Sequence, residues 1–231
     1  MKRSEINREI KKAEEFFASF SFKLPKFASW TPEEWDKHGD EIQEIFDCEL
    51  GWDLTDFGRG NFEKDGLLLF TIRNGIMGSE KYPKPYAEKL MISRSEQVTV
   101  MHCHVYKQED IINRGGGRLV FELYNRKGDT LELDDTPVEV VRDGEKLVIP
   151  AGGKIFLEPG ESITLCQNVF HKFYAEKGSD VMIGEVSCVN DDHNDNVFYE
   201  PQLRFPVIEE DEAPYRLLVC DYQNYLKNRG K

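Results

Sequence analysis

From about residue 66 the chain consists of short apolar and β-branched runs separated by turn residues. The runs 67–73, 97–104, 169–175 and 181–189 have the length of single strands, and Asp143-Gly144 is typical of a hairpin turn. Many short strands at this spacing are typical of an antiparallel sandwich or barrel. This part of the sequence therefore predicts an all-β domain.

The N-terminal part has a helical pattern instead. Apolar residues recur near the 3.6-residue period over residues 6–20. Thr31, followed by a proline and then by Glu34, has the spacing of a capping box at a helix start. We therefore expect N-terminal helices as an extension over residues 1–60, packed on a β-barrel domain over residues 61–231, the two forming a single structural unit.

The C-terminal part after residue 202 has no regular pattern for most of its length. The acidic stretch 209–212 is expected to be a solvated loop, and residues 215–220 are expected to form a last strand.

The overall charge of the chain restricts its partners. The 231 residues carry a formal net charge of −13, which disfavours nucleic acid and anionic membranes as partners. No run of about 18 apolar residues predicts a membrane-spanning helix, and no apolar stretch follows the basic N-terminus as in a secretory signal. The five cysteines are widely spread and form no CxxC pair, which favours free thiols in a reducing cytoplasm.

Histidines concentrate in two of the expected strands. His102 and His104 are one residue apart, so their side chains point to the same face of a strand. His171 lies in a second strand-like run. Glu109 comes five residues after His104, an odd offset that would put it on the opposite face of a continuous strand. The chain must therefore bend or start a new strand for Glu109 to face the same point. Three imidazoles and a carboxylate suit a divalent ion such as Mn, Fe or Zn.

These residues carry a resemblance to a known superfamily. His102-x-His104-x4-Glu109-x6-Gly116 resembles the first motif of the cupins. The second motif differs, because most cupins have Pro-x-Gly-x2-His, whereas here ten residues separate Pro159-Gly160 from His171. The resemblance implies a double-stranded β-helix, or jelly-roll barrel, with the metal in the mouth of the barrel and bound by His102, His104, Glu109 and His171.

A narrower resemblance covers roughly residues 5–225. The N-terminal helices, the His-x-His-x2-Lys-x-Glu arrangement and residues 184–196 resemble the D-lyxose isomerase family of cupins. This resemblance implies an aldose–ketose isomerase of free sugars that uses manganese (Mn2+) or, because the ligands also accept them, Co2+, Fe2+ or Zn2+. It further implies D-lyxose and D-xylulose as the main pair, D-mannose and D-fructose as the second pair, and a cytoplasmic homodimer.

Two residues are candidates for the chemistry of such a reaction. Moving a carbonyl between C1 and C2 requires a group that takes a proton from one carbon and returns it to the next, through an enediol. Glu185 is the first candidate, because it shares a strand face with Val181 and Ile183, and burial in an apolar wall should raise its pKa. Lys107, between two expected metal ligands, is the second. A hydride shift remains an alternative to proton transfer.

Four further residues are candidates for substrate contacts. Asp191 and Asp195 lie in a polar loop that either is a plain turn or offers acceptors to sugar hydroxyls. Arg204 either hydrogen-bonds the substrate or pairs with a nearby acid. Phe173 is either barrel wall or a ring that stacks on the sugar.

Two rival functions use the same metal ligands. A cupin dioxygenase that contains Fe(II) would bind its iron through three histidines and a glutamate, and would consume oxygen. A non-catalytic sugar-binding cupin that contains a metal would bind sugar without turnover, and Glu185 would then have no chemical role.

Overall fold

The structure is a computed structural model that describes residues 1–228. Its four α-helices are α1 Arg3–Ser19, α2 Pro32–Trp35, α3 Gln43–Asp47 and α4 Tyr222–Asn228. Within the same residues the strands are β1 Gly51–Thr55, β2 Leu67–Arg73, β3 Tyr86–Ser93, β4 Val98–His104, β5 Glu109–Gly116, β6 Leu119–Arg126, β7 Leu133–Asp134, β8 Val138–Arg142, β9 Glu145–Ile149, β10 Lys154–Leu157, β11 Ser162–Leu165, β12 Val169–Ala175, β13 Val181–Cys188 and β14 Asn196–Phe198.

The strands form two antiparallel sheets that face each other. The larger has the order β1-β2-β3-β13-β5-β11-β8-β9, and the smaller has the order β10-β6-β12-β4-β14. One buried apolar cluster joins both sheets, with Ile111 and Ile183 from the larger sheet and Phe121, Leu123 and Phe173 from the smaller sheet. This arrangement confirms the predicted all-β fold of the cupin jelly-roll type.

Period-two burial explains why the short runs form strands. In β10, Ile155 and Leu157 are buried while their neighbours are exposed. In β11, Ile163 and Leu165 are likewise more buried than the residues between them. Side chains alternate between the faces of a strand, so one face of each joins the core between the sheets and the other faces outward.

Helix α1 covers the outer face of the larger sheet. Ile6, Ile10 and Phe17 of α1 pack in a second apolar cluster with residues of β1 and β2. The Phe17 ring stacks on Trp52 with 6.3 Å between ring centroids. Leu68 belongs to this outer cluster while Leu69 belongs to the core between the sheets, so β2 is apolar on both faces. No helix in the described range is long and apolar enough to cross a membrane.

The helix start expected at Thr31 is present as a capping box. The Thr31 hydroxyl accepts a hydrogen bond from the Glu34 amide at 3.3 Å, and the Glu34 carboxylate accepts one from the Thr31 amide at 2.8 Å. These two bonds satisfy amides that the first turn of α2 leaves without helical partners.

Several elements differ from the sequence prediction. β1 lies inside the segment expected to be helical. The sequence did not indicate this strand, because all its residues are buried and it shows no alternation. β5 and β14 were also missed, since β5 ends in polar and glycine residues and β14 is only three residues long. The strand expected over 215–220 is wrong: Leu218 makes one isolated bridge to Trp52, and a short 3-10 helix follows at Val219–Asp221.

The acidic stretch 209–212 is an anchor for α1 and not simply a solvated loop. The guanidinium of Arg3 is 1% exposed and lies 2.6 Å from a Glu210 oxygen and 2.8 Å from an Asp221 oxygen. Asp211 accepts a hydrogen bond from the Ser4 amide at 2.9 Å. The N-terminal helix is therefore bound to the C-terminal segment by charge-assisted hydrogen bonds.

We expect Arg3→Ala to lower the free energy of unfolding by about 2 kcal/mol, because hydrogen bonds to charged groups are lost and two carboxylates lose their partner. Arg8→Ala on the same helix should change the free energy of unfolding by less than about 0.5 kcal/mol, since Arg8 is exposed and its ion pair with Glu9 is long, at 3.6 Å. Urea unfolding at neutral pH measures both, and equal effects of the two substitutions would contradict the role of Arg3.

The effect of Arg3→Ala should also depend on pH. The hydrogen bond from Arg3 lowers the pKa of Glu210 below its ordinary value of 4.5. The stabilisation is therefore complete above pH 4.5 and is lost as the pH falls through the lower pKa that Glu210 has in the folded protein. The difference between wild type and variant should shrink in acid, and a constant difference down to the acid transition would contradict this assignment.

Candidate metal centre and active site

Three histidines meet on the inner face of the smaller sheet. His102 and His104 lie on β4, and His171 lies on β12 directly opposite His102. One ring nitrogen of each lies within 4.8 Å of one ring nitrogen of the other two. The structure thus brings together the three histidines that the sequence predicted as metal ligands.

Backbone carbonyls fix the orientation of two of these rings. Nδ1 of His102 lies 2.7 Å from the Val100 oxygen, and Nδ1 of His171 lies 3.0 Å from the Val169 oxygen. With the proton on Nδ1, each Nε2 keeps its lone pair, and Nε2 of His171 is buried without a hydrogen-bond partner. Burial, together with the two neighbouring imidazoles, lowers the pKa of His102 well below 6.5. The neutral ring is the form that binds a metal.

Glu109 completes the cluster from the larger sheet. It is the first residue of β5, so the chain starts a new strand after His104, one of the two routes that the change of parity allowed. Its Oε1 lies 3.2 Å from Nε2 of His171 and 3.6 Å from Nε2 of His104. Two ligand atoms about 2.1 Å from one ion at right angles lie about 3 Å apart, so the distances of Glu109 from His171 and His104 suit ligands that share one divalent ion.

Lys107 joins this cluster to Glu185. Its ammonium is buried, 2.7 Å from Oε2 of Glu109 and 3.0 Å from Oε1 of Glu185. Burial disfavours the charge, but the two carboxylates outweigh it and raise the pKa of Lys107 above its ordinary value. Lys107 is therefore a permanent cation and a hydrogen-bond donor, and not a lysine with the lowered pKa that proton transfer would need.

Glu185 lies on the inner face of β13 with Val181 and Ile183, as the alternation predicted. The expected rise of its pKa is wrong. Burial acts to raise the pKa of Glu185, but the ammonium groups of Lys107 and Lys89 outweigh burial and lower it below 4.5. The side chain is therefore a buried carboxylate at neutral pH, which is the protonation state that a general base needs, while the two lysines make it a weaker base than an unpaired carboxylate.

Lys89 is a functional candidate that the sequence analysis missed. It lies on β3 directly opposite Glu185, is 4% exposed, and its Nζ is 3.3 Å from Oε1 of Glu185. Its Nζ also donates a hydrogen bond to the Asn190 side chain. The only signal in the sequence was its parity with Ala87 and Met91, two apolar residues that share the buried face.

Arg204 belongs to a second buried group of charges. Its Nη2 lies 2.6 Å from an Asp53 oxygen and 2.8 Å from an Asp192 oxygen. Arg204 therefore pairs with acids, which was one of the two alternatives that the sequence left open. Burial acts to raise the pKa of Asp192, but Arg204, Lys89 and Lys107 lower it well below 3.8. Nη1 of Arg204 is buried without a hydrogen-bond partner.

The two loop aspartates make contacts within the protein. Asp195 is 3% exposed and accepts hydrogen bonds from the amides of Val105, Tyr106 and Lys107. Asp191 accepts hydrogen bonds from the amides of residues 193 and 194, at 3.1 Å each, as in a plain turn. Both carboxylates thus bind backbone amides, and Oδ2 of Asp195 also lies 3.8 Å from Nδ1 of His104.

Phe173 lies in the apolar core between the sheets. It is 3% exposed and packs on Phe121 with 5.3 Å between ring centroids, which corresponds to the barrel-wall alternative. The ring of Phe198 in β14 lies beside the cluster, with its centroid 5.9 Å from that of His102.

Two facing antiparallel sheets with a buried cluster of histidines on an inner face define a cupin whose site could bind a divalent ion. The chain belongs to the D-lyxose isomerase family, whose model matches residues 1–222. It is 48% identical over 229 residues to a D-lyxose/D-mannose isomerase of Serratia proteamaculans, covering 98% of this chain and 100% of the relative. It is 47% identical over 223 residues to an enzyme of the same name from Escherichia coli, covering 96% and 97%.

Solved structures share the fold. An L-ribose isomerase mutant from an Acinetobacter species, in complex with L-ribose, matches with a TM-score of 0.61 and 14% identity, covering 90% of this chain and 98% of that one. The L-ribose isomerase of Cellulomonas parahominis with L-psicose matches with a TM-score of 0.57 and 16% identity, covering 86% and 92%. Family membership makes the protein a sugar isomerase.

We expect Mn2+ at about 100 times its Kd to stabilise the wild-type protein by about 2.7 kcal/mol and to raise its Tm by about 5 °C. His171→Ala should lose this increase, because it removes a ligand atom from the cluster. His193→Gln should keep it, since His193 is exposed and lies beside Glu49. Thermal melts of metal-free protein with and without Mn2+ measure the effect, and an equal increase in both variants would exclude the cluster as the metal site.

Proposed function

We propose that the protein is a metal-dependent isomerase that interconverts D-lyxose and D-xylulose, with D-mannose and D-fructose as the second pair. The observation that carries this proposal is the position of the Glu185 carboxylate, buried 3.0 Å from the same Lys107 ammonium that contacts Glu109. A base, a cation and the candidate metal ligands thus lie side by side in one interior. The names of the two similar isomerases support the choice of sugars.

We propose that His102, His104, His171 and Glu109 hold the ion, which is Mn2+ in our proposal, although Co2+, Fe2+ and Zn2+ accept the same ligands. When bound, the ion supplies positive charge that stabilises the negative charge developing on the sugar oxygens. The neutral His102 ring and the ionised Glu109 are the protonation states that metal binding needs.

The proton steps belong to Glu185. Its carboxylate takes the proton from C2 of the aldose, the electrons of the C–H bond form the C1–C2 double bond of the enediol, and the C1 oxygen gains a proton from solvent. Glu185 then returns its proton to C1 while the C2 hydroxyl releases its proton to solvent and becomes the carbonyl. Lys107 and Lys89 keep Glu185 ionised between turnovers, because both lower its pKa.

For substrate recognition we propose Arg204. Its unpartnered Nη1 is a free donor in the described structure, and its two acids hold the guanidinium in place. A sugar hydroxyl is a suitable acceptor for such a donor. Asp191, Asp195 and Phe173 have their polar atoms or rings engaged inside the protein, so we assign the substrate contact to Arg204 and not to them.

We also propose a cytoplasmic homodimer. All five cysteines lie within residues 1–228 as free thiols, which suits a reducing compartment. The dimer rests on the family resemblance, and sedimentation equilibrium at micromolar concentration tests it directly.

Stripped protein reloaded with Mn2+ should convert D-lyxose and D-mannose to their ketoses. Glu185→Gln should abolish turnover, with at least a 10²-fold loss, and retain the metal, because the amide cannot accept the proton. Glu9→Gln is the matched control, since Glu9 is a buried carboxylate of α1 outside the site. Ketose assays with metal analysis measure both. Retained turnover in Glu185→Gln, or oxygen uptake by the iron-loaded protein without ketose formation, would contradict the proposal.

Proton transfer predicts exchange with solvent. In D2O, ketose formed from unlabelled D-lyxose should carry deuterium at C1, because the proton held by Glu185 exchanges before it is returned. Proton NMR of the isolated ketose measures the label. A product with no deuterium at C1 after a single turnover would support the hydride shift instead.

A further inference from the structure

The carboxylate of Asp195 binds three consecutive backbone amides. Oδ1 accepts hydrogen bonds from the amides of Val105 at 2.9 Å and Tyr106 at 2.7 Å, and Oδ2 accepts one from the amide of Lys107 at 3.0 Å. The side chain is 3% exposed, and the partner segment lies about 90 residues away in the chain. Such bonds to an ionised acceptor are stronger than bonds between neutral groups.

These amides belong to the turn 105–108, which carries the chain from one sheet to the other. The turn leaves β4 after His104 and enters β5 at Glu109, so it sets the distance between candidate metal ligands of different sheets. It also carries Lys107, whose ammonium contacts both Glu109 and Glu185. A small change in the turn would therefore move several groups of the site at once.

The same carboxylate lies beside a ligand ring. Oδ2 of Asp195 is 3.8 Å from Nδ1 of His104. Nδ1 of His104 is buried without a hydrogen-bond partner, whereas the Nδ1 atoms of His102 and His171 each meet a backbone carbonyl. The Nδ1 atom of His104 thus faces the negative charge of Asp195, whereas the Nδ1 atoms of the other two rings face a carbonyl oxygen.

The loop that carries Asp195 reaches other parts of the site as well. The side chain of Asn190 accepts a hydrogen bond from Lys89, and Asp192 pairs with Arg204. Asp195 therefore lies at the end of a segment, 190–195, that contacts the side chains of Lys89 and Arg204 and the backbone amide of Lys107.

We propose that Asp195 is a positioning residue that holds the turn 105–108, so that His104, Lys107 and Glu109 reach their places around one ion and one base. This role rests on the proposed function, because it concerns the same site. Asp195 acts through the turn and through His104, and its oxygens are occupied by amides, so it is not a catalytic residue.

The test compares two substitutions with a matched control. Asp195→Ala removes all three acceptors. Asp195→Asn keeps one carbonyl oxygen and replaces the other oxygen by an amide group that cannot accept from Lys107. Asp180→Asn is the control, because Asp180 also joins two segments, accepting from the Ser95 amide and from the Arg94 side chain at 2.9 Å each, outside the site.

The Kd for Mn2+ is measured by EPR of the free ion, and kcat and KM are measured at saturating Mn2+. We expect Asp195→Ala to raise Kd about 10- to 100-fold and to lower kcat by a similar factor, as for partners of metal ligands. Asp195→Asn should show a smaller change in the same direction. Asp180→Asn should stay within about twofold of wild type in Kd and kcat.

Unchanged Kd and kcat in folded Asp195 variants would overturn the proposal, even if Tm fell, because a merely structural residue gives that pattern. A higher KM alone would also overturn it and would indicate a substrate contact. If Asp195→Ala does not fold, the Kd of Asp195→Asn decides by the same criterion. The proposed function can fail separately: wild type that binds Mn2+ but forms no ketose would contradict the isomerase, while the comparison of Kd values would still test Asp195.

Discussion

The ion pairs of Lys107 with Glu109 and Glu185 are the interaction on which the site depends. An ammonium that is 3% exposed costs several kcal/mol to desolvate unless it is paired and hydrogen-bonded. Its distances of 2.7 and 3.0 Å from the two carboxylates meet that need. In return, the cation keeps both carboxylates ionised, one as a candidate metal ligand and the other as a candidate base. Removing Lys107 would leave Glu109 without its ammonium partner and Glu185 with Lys89 alone.

The facing of the two sheets makes this network possible. The histidines come from β4 and β12 of the smaller sheet, whereas Lys89, Glu109 and Glu185 come from β3, β5 and β13 of the larger. The apolar cluster between the sheets holds them at a fixed separation, and close packing transmits small shifts. The N-terminal helix, packed on the outer face of the larger sheet, and the C-terminal segment that carries Arg204 are joined at Arg3.

The sequence was sufficient for the strands with clear alternation and for the shared face of His102 and His104, because periodicity and spacing are local properties. β12, for example, has the predicted bounds, and its His171 meets the other two histidines, with Glu109 3.2 Å from His171. β1 could not be recognised, because a strand buried on both faces has no alternation to detect.

The direction of the Glu185 pKa shift was not predictable from the sequence. It depends on Lys89 and Lys107, which come from other strands and meet Glu185 only in the folded protein. The position of Asp195 is similar, since its partners lie in a distant turn. Contacts of this kind follow from the topology, and a lysine or aspartate in one segment carries no local sign of them.

X-ray diffraction from crystals of the Mn2+-loaded protein, with anomalous data at the manganese edge, tests the central claim most directly. The account predicts one strong anomalous peak about 2 Å from a nitrogen of each of His102, His104 and His171 and from an oxygen of Glu109. A peak that lies elsewhere, or that fewer than three of these side chains contact, would contradict it.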